Sequence, residues 1–120
     1  MNGPTKKETR DLIIKLEKKS KKAGKAFWKD IAKRLAKPSR GRASVNVYKL
    51  EAIAKKNNNK VLVVPGKILA TGNIETKIVV AGLDCSEKAR LKIEAAKGKV
   101  MSLEELIESK EKEPNMVIVK

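Results

Sequence analysis

Twenty consecutive residues between Asp30 and Glu51 contain no carboxylate, and the same window holds Lys33, Arg34, Lys37, Arg40, Arg42 and Lys49. An even spread of the 14 acidic residues over 120 positions would place two or three acids there, so the window is selectively cationic. Three of the five arginines fall between residues 34 and 42. A guanidinium holds phosphate through two parallel hydrogen bonds, which an ammonium group does not. The chemistry this predicts is polyanion binding, with Lys and Arg displacing counterions from phosphates. A solvated charge run is the bland alternative. Arginine clustering without acids favours phosphate contact, and a loop punctuated by Pro38 and Gly41 presents such forks without burying them. The lysines of the first segment (Lys7, Lys15, Lys18, Lys22, with Arg10) are less specific. Glu8, Asp11 and Glu17 stand among them and offer partners.

Other chemistries fail on residue types. The chain has no histidine and one cysteine, Cys85, so a Ser-His-Asp or Cys-His machine and a zinc site are excluded. Cys85 follows Asp84 near an expected helix start, where a thiol pKa could drop; with no partner Cys or His, a small half-buried residue is expected. The run Pro65-Gly66-Lys67-Ile68-Leu69-Ala70-Thr71-Gly72 departs from a phosphate loop, because its lysine comes early and strands flank it. Lys67 is then a turn lysine that touches a nucleic-acid backbone. Phe27, Trp28 and Tyr48 are too few for a base-stacking sheet; Phe27 and Trp28 belong to a core, and Tyr48 is undecided. Neither Glu104-Glu105 nor Glu111/Glu113 suggests acid–base geometry. No enzyme, cofactor, metal or small-molecule substrate is expected.

The chain as a whole is consistent with that reading. Its 120 residues suit one domain. The formal charge is +15, unevenly spread: residues 1–50 carry 16 Lys/Arg against 4 Asp/Glu. The expected division is 1–42, a basic helical extension with its Arg-rich loop, and 43–120, a compact α/β body. The opening residues lack the apolar core of a secretory signal and no apolar run approaches a bilayer span. A cytoplasmic protein with a nucleic-acid partner and no membrane partner is expected.

The elements follow from periodicity. Thr5 and Glu8 have capping-box spacing, and Leu12, Ile13, Leu16, Ser20 and Ala23 share one arc of a helix that Gly24 ends. A second helix carries Phe27, Trp28, Ile31, Ala32 and Leu35 up to Pro38. Residues 37–42 read as an exposed loop and Ser44 to Asn46 as a brief strand. Asn46 is the expected N-cap of a helix with Val47, Leu50, Ile53 and Ala54, ended by the asparagines at 57–59. Val61–Val64 and Ile78–Ala81 are β-branched runs suited to strands buried on both faces. Pro65-Gly66 and Gly72-Asn73 read as turns around a small strand at 67–69. Ser86 caps a helix through Ala96 with Ala89, Ile93 and Ala96 inward. Val100-Met101 forms a strand, Ser102 and Glu105 a second capping box before Leu103, Leu106 and Ile107, residues 111–115 a polar connector, and Val117 to Val119 a last strand. Short strands alternating with helices give an α/β class.

Three stretches together carry a resemblance to a known family. They are residues 33–47 (Lys-Arg-Leu-Ala-Lys-Pro-Ser-Arg-Gly-Arg-Ala-Ser-Val-Asn-Val), residues 60–69 (Lys-Val-Leu-Val-Val-Pro-Gly-Lys-Ile-Leu), and Ser86 to Arg90 with Ala95 to Gly98 and Leu103 to Leu106. From about Thr5 to its end the chain resembles the archaeal and eukaryotic large-ribosomal-subunit protein family L-eighteen-e, itself related to part of the bacterial protein L-fifteen. It departs from the family at Ser39 and Gly41, where arginine is usual. The resemblance implies an irregular superhelix of small strand-strand-helix turns and a structural, non-catalytic place in the large subunit. It implies contact with ribosomal RNA and with neighbouring ribosomal proteins. It assigns Arg34, Pro38, Arg40, Arg42 and Asn46 to an RNA-facing loop and its support, shape selecting the RNA rather than base-edge readout. A free-standing DNA- or chromatin-binding protein is the alternative that the charge alone would serve; no groove-reading helix stands out. Replacing Arg40 and Arg42 is expected to weaken RNA binding with little change in stability.

Overall fold

The computed structural model describes residues 6–37, 42–57, 60–109 and 115–119. Two helices, α1 (Lys6–Ala23) and α2 (Ala26–Leu35), precede β1 (Ala43–Asn46), α3 (Val47–Lys56) and β2 (Val61–Leu69). Then come β3 (Val79–Cys85), α4 (Glu87–Ala95), β4 (Lys99–Ser102), α5 (Leu103–Glu108) and β5 (Met116–Ile118). The α/β class expected from the alternating pattern is the one observed. All pairings are parallel, in one five-stranded sheet of order β1-β2-β3-β4 with β5 also paired to β2.

Consecutive strands are neighbours, so the chain winds one way through four strands. Its crossovers on that path pack on one face: α3, α4 and Ile74 of the β2–β3 connection join a core of Val45, Leu62, Val64, Ile68, Val80 and Val119. From β4 the chain turns back to β2, and α5 lies on the opposite face with α1 and α2. The right-handed rule for parallel crossovers dictates this switch, because reversing direction across a sheet moves a right-handed connection to the other side. β5 takes residues 61–63 of β2 and β1 takes residues 66–69. With β3 paired along residues 61–68, the two short strands share the remaining edge end to end.

Alternation along β2 divides the two cores. Val61 and Val63 face α1, α2 and α5, whereas Leu62 and Val64 face α3 and α4. This two-sided burial is why the run contains no polar residue. On the first face Leu12, Leu16, Trp28, Ile31 and Leu35 pack with Leu103 and Leu106. Phe27 meets Trp28 edge-on with centroids 5.2 Å apart, and the Lys19 ammonium lies 5.5 Å from the Trp28 ring. Such contacts add to the burial of the indole. The two aromatics are core residues, as expected.

Several local expectations are corrected. Ala23 is exposed rather than on the apolar arc, and Thr9 is buried. Pro65-Gly66 is not a turn: β2 runs through it, with an irregularity between Val64 and Lys67. Gly66 permits this, because a Cβ there would fall on the Ala43 carbonyl oxygen of β1. β3 begins at Val79 and continues to Cys85 rather than ending at Ala81. Both serine caps hold. Ser86 Oγ accepts from the Ala89 N–H, and Ser102 with Glu105 forms a reciprocal capping box, their bonds 3.1 and 3.2 Å long. The helix after Ser86 ends at Ala95, followed by Lys97 at φ 65° and Gly98. The expected cap at Thr5, the loop residues Pro38 to Gly41 and most of the 111–115 connector lie outside the described residues.

Candidate nucleic-acid interface

The carboxylate-free window spans the end of α2, β1 and the first turns of α3. The helix ends because Ala36 is the last residue bonding back, to Ala32, and Pro38 follows. Lys33 and Lys37 are exposed there. Arg34 is half-buried, with Nε 3.3 Å from Asp30 Oδ1 one turn earlier. Arg42 re-enters beside the helix it left: its Nε donates to the Leu35 carbonyl at 3.1 Å. One orphan carbonyl of α2 is thereby satisfied by a cation at the helix's negative end. Arg42 is half-buried, not held clear of the protein as the loop reading expected. Arg40 lies outside the described residues.

Asn46 ends β1 and occupies the N-cap position of α3 in an extended conformation, φ −86° and ψ 156°, but its side chain makes no capping bond. Its Oδ1 is buried and without a hydrogen-bond partner among the described residues. Beyond it, Tyr48 and Lys49 are exposed on α3. Four strand residues, at a rise near 3.3 Å each, thus separate the Arg42 end from the Tyr48 end by roughly 13 Å.

The β2–β3 connection, residues 70–78, has no helix, yet is held in place from two sides. Lys92 Nζ donates to the carbonyls of Ala70 and Gly72 at 2.6 and 2.7 Å. Glu51 Oε1 accepts from the N–H groups of Glu75 and Thr76 at 2.6 and 3.0 Å. Those bonds, that of Glu75 foremost, hold the Glu51 carboxyl below its usual range. The Tyr48 N–H donates to the Thr71 carbonyl. Gly72 has φ +98°, and a Cβ on it would lie 2.5 Å from Tyr48 Cβ, so the ring's base rests against bare backbone. Nothing in the sequence pattern marks these roles for Glu51 and Lys92, since their partners are backbone groups more than 19 residues away.

The remaining cations are dispersed. Lys7, Arg10, Lys15, Lys18 and Lys22 are exposed on α1, in the layer opposite to that of Lys49. Lys15 Nζ pairs with Glu104 at 3.5 Å across α1 and α5. Lys67 is exposed within a strand, not a turn, flanked in register by Ser44 and Asp84. The expected contact residues therefore do not form one patch. Cys85 is buried, not half-buried, and desolvation pushes its thiol up rather than down.

This is a small, strongly cationic α/β protein whose parallel sheet carries a carboxylate-free stretch along one edge strand. Comparison with known proteins gives it a family. The profile of the family described as "Ribosomal protein 60S L18 and 50S L18e" matches residues 3–120. The large ribosomal subunit protein eL18 of Methanococcus maripaludis is 40% identical over 96% of this chain and 94% of its own. That of Archaeoglobus fulgidus is 46% identical over 84% and 85%, and that of Sulfurisphaera tokodaii 39% over 98% and 95%. The chain belongs to this ribosomal protein family, the one that the motifs at 33–47 and 60–69 resemble.

Proposed function

We propose that the chain is a structural constituent of the large ribosomal subunit on the cytoplasmic ribosome, binding ribosomal RNA chiefly through Lys- and Arg-phosphate contacts. The observation that carries the reading is the carboxylate-free window, which the end of α2, β1 and the start of α3 carry, with Lys33, Lys37 and Lys49 exposed and Arg42 half-buried. A stretch rich in Lys and Arg and without acids of its own concentrates phosphate, and a rigid sheet behind it favours RNA folded to match over RNA of any sequence. Arg42, with Nε on Leu35, would meet a phosphate through its terminal nitrogens. Arg34, Arg40, Asn46 and Lys67 complete or support that surface, and the α1 cations Lys7, Arg10, Lys15, Lys18 and Lys22 would meet a second RNA segment. Neighbouring ribosomal proteins are the other expected partners.

Sedimentation of cell extract tests this. The protein should travel with the large subunit through a moderate salt wash and through DNase digestion. Release by DNase alone would instead mark a chromatin protein.

A further inference from the structure

Tyr48 is the chain's one tyrosine, and it is 56% exposed. A single exposed aromatic is unremarkable in itself. This one differs in its foundation. Its backbone N–H is bonded to Thr71, and its Cβ and Cδ1 lie against the Gly72 backbone, where an added Cβ would come within 2.5 and 3.2 Å. The loop under it is clamped by Lys92 at residues 70 and 72 and by Glu51 at 75 and 76. The nearest carboxylate along the chain, Glu51, is occupied by those backbone N–H groups. The surrounding window contributes Arg42 and Lys49 and no acid.

We propose that Tyr48 is a stacking platform for one unpaired nucleobase of the ribosomal RNA. This rests on the RNA-binding reading above and adds to it a contact that is not electrostatic. A fixed ring loses little conformational freedom on binding, and base–aromatic stacking tolerates any base because every base has a π-face. An aromatic seat for a protein neighbour is the competing occupant. The window that carries Tyr48 has six Lys/Arg and no acid, and the carboxylate just beyond it, Glu51, is engaged by backbone N–H groups, which favours a phosphate-bearing one.

The test compares the full-length wild type with Tyr48→Phe and Tyr48→Ala for binding to protein-stripped large-subunit RNA across a salt series. Stacking predicts that Tyr48→Phe binds like the wild type. Tyr48→Ala should bind about five- to a hundredfold more weakly with the same salt slope. Equal affinity of all three proteins overturns the proposal, as does a loss in Tyr48→Ala that comes with a shallower slope or a lowered melting temperature. Ultraviolet irradiation of intact large subunits gives a second readout. A nucleotide adduct on the peptide containing Tyr48 is expected, and a protein–protein crosslink from Tyr48 in its place overturns the assignment. If the wild type itself shows no salt-dependent binding to the stripped RNA, the failure lies in the RNA-binding reading.

Discussion

The Nε of Arg42 donates to the carbonyl of Leu35, seven residues back and across the loop that joins α2 to β1. This bond ties the two ends of the cationic loop together, so Arg42 is a structural fastener as well as a candidate phosphate ligand. Arg42→Ala should therefore lower stability by about 1 kcal/mol, contrary to the expectation that the loop is energetically inert. Its RNA affinity should fall, with a salt slope shallower by about one unit. Urea titration of the variant and filter binding at several salt concentrations measure both. An unchanged unfolding midpoint would show that the bond contributes nothing in solution.

Gly66→Ala should disrupt the pairing of β1 with β2. The added methyl would fall on the Ala43 carbonyl, a backbone atom of a paired strand that cannot swing aside. A cost of about 1–3 kcal/mol is expected. Hydrogen exchange should show faster amides in residues 43–46 and 66–69, while those of β3 and β4 stay protected.

Lys92→Met should release the loop at residues 70 and 72. Two carbonyls would lose a charge-assisted partner, at a cost of about 1.5–3 kcal/mol. Limited proteolysis should then cut between residues 70 and 78, where the wild type resists.

The clamp at the other side of that loop is pH-dependent. The folded-state pKa of Glu51 lies below its ordinary value, because the N–H groups of Glu75 and Thr76 favour the charged form. Its contribution to stability is therefore complete above the unfolded carboxyl pKa and is lost as pH falls through the lower, folded one. Glu51→Gln should melt with less dependence on pH than the wild type below about pH 4.5. Parallel melting curves from neutral to acid pH would refute the clamp.

Cys85 should be a slow thiol. It is buried and its pKa is raised, so alkylation of the native protein at neutral pH should lag well behind that of a free thiol and catch up on unfolding. Rapid native labelling would contradict its placement.

What could be read from the sequence was what depends on neighbours within one turn. Ser86 and Ser102 announce their helices because the partner N–H lies three residues on. The unbroken apolar run Val61–Val64 announces a strand buried on both faces because both cores are apolar. The errors arose where a distant backbone decided the matter. Pro65-Gly66 has turn composition, yet Gly66 serves the close approach of Ala43. Asn46 has the composition and position of a cap, yet its side chain makes no capping bond. Tyr48 has no assignable role without the Gly72 backbone that lies against it, whereas the brief strand at 44–46 that parts the two ends of the cationic run is legible.

That parting strand makes the protein a calliper. β1 is bonded along its length to β2, so the interval between Arg42 and Tyr48 cannot stretch or shorten to suit a ligand. A flexible cationic tail wraps whatever polyanion it meets. With the RNA contacts proposed above, two jaws at a set gap would close only on an RNA already folded to that gauge, and so would discriminate a finished architecture from a loose strand of equal charge.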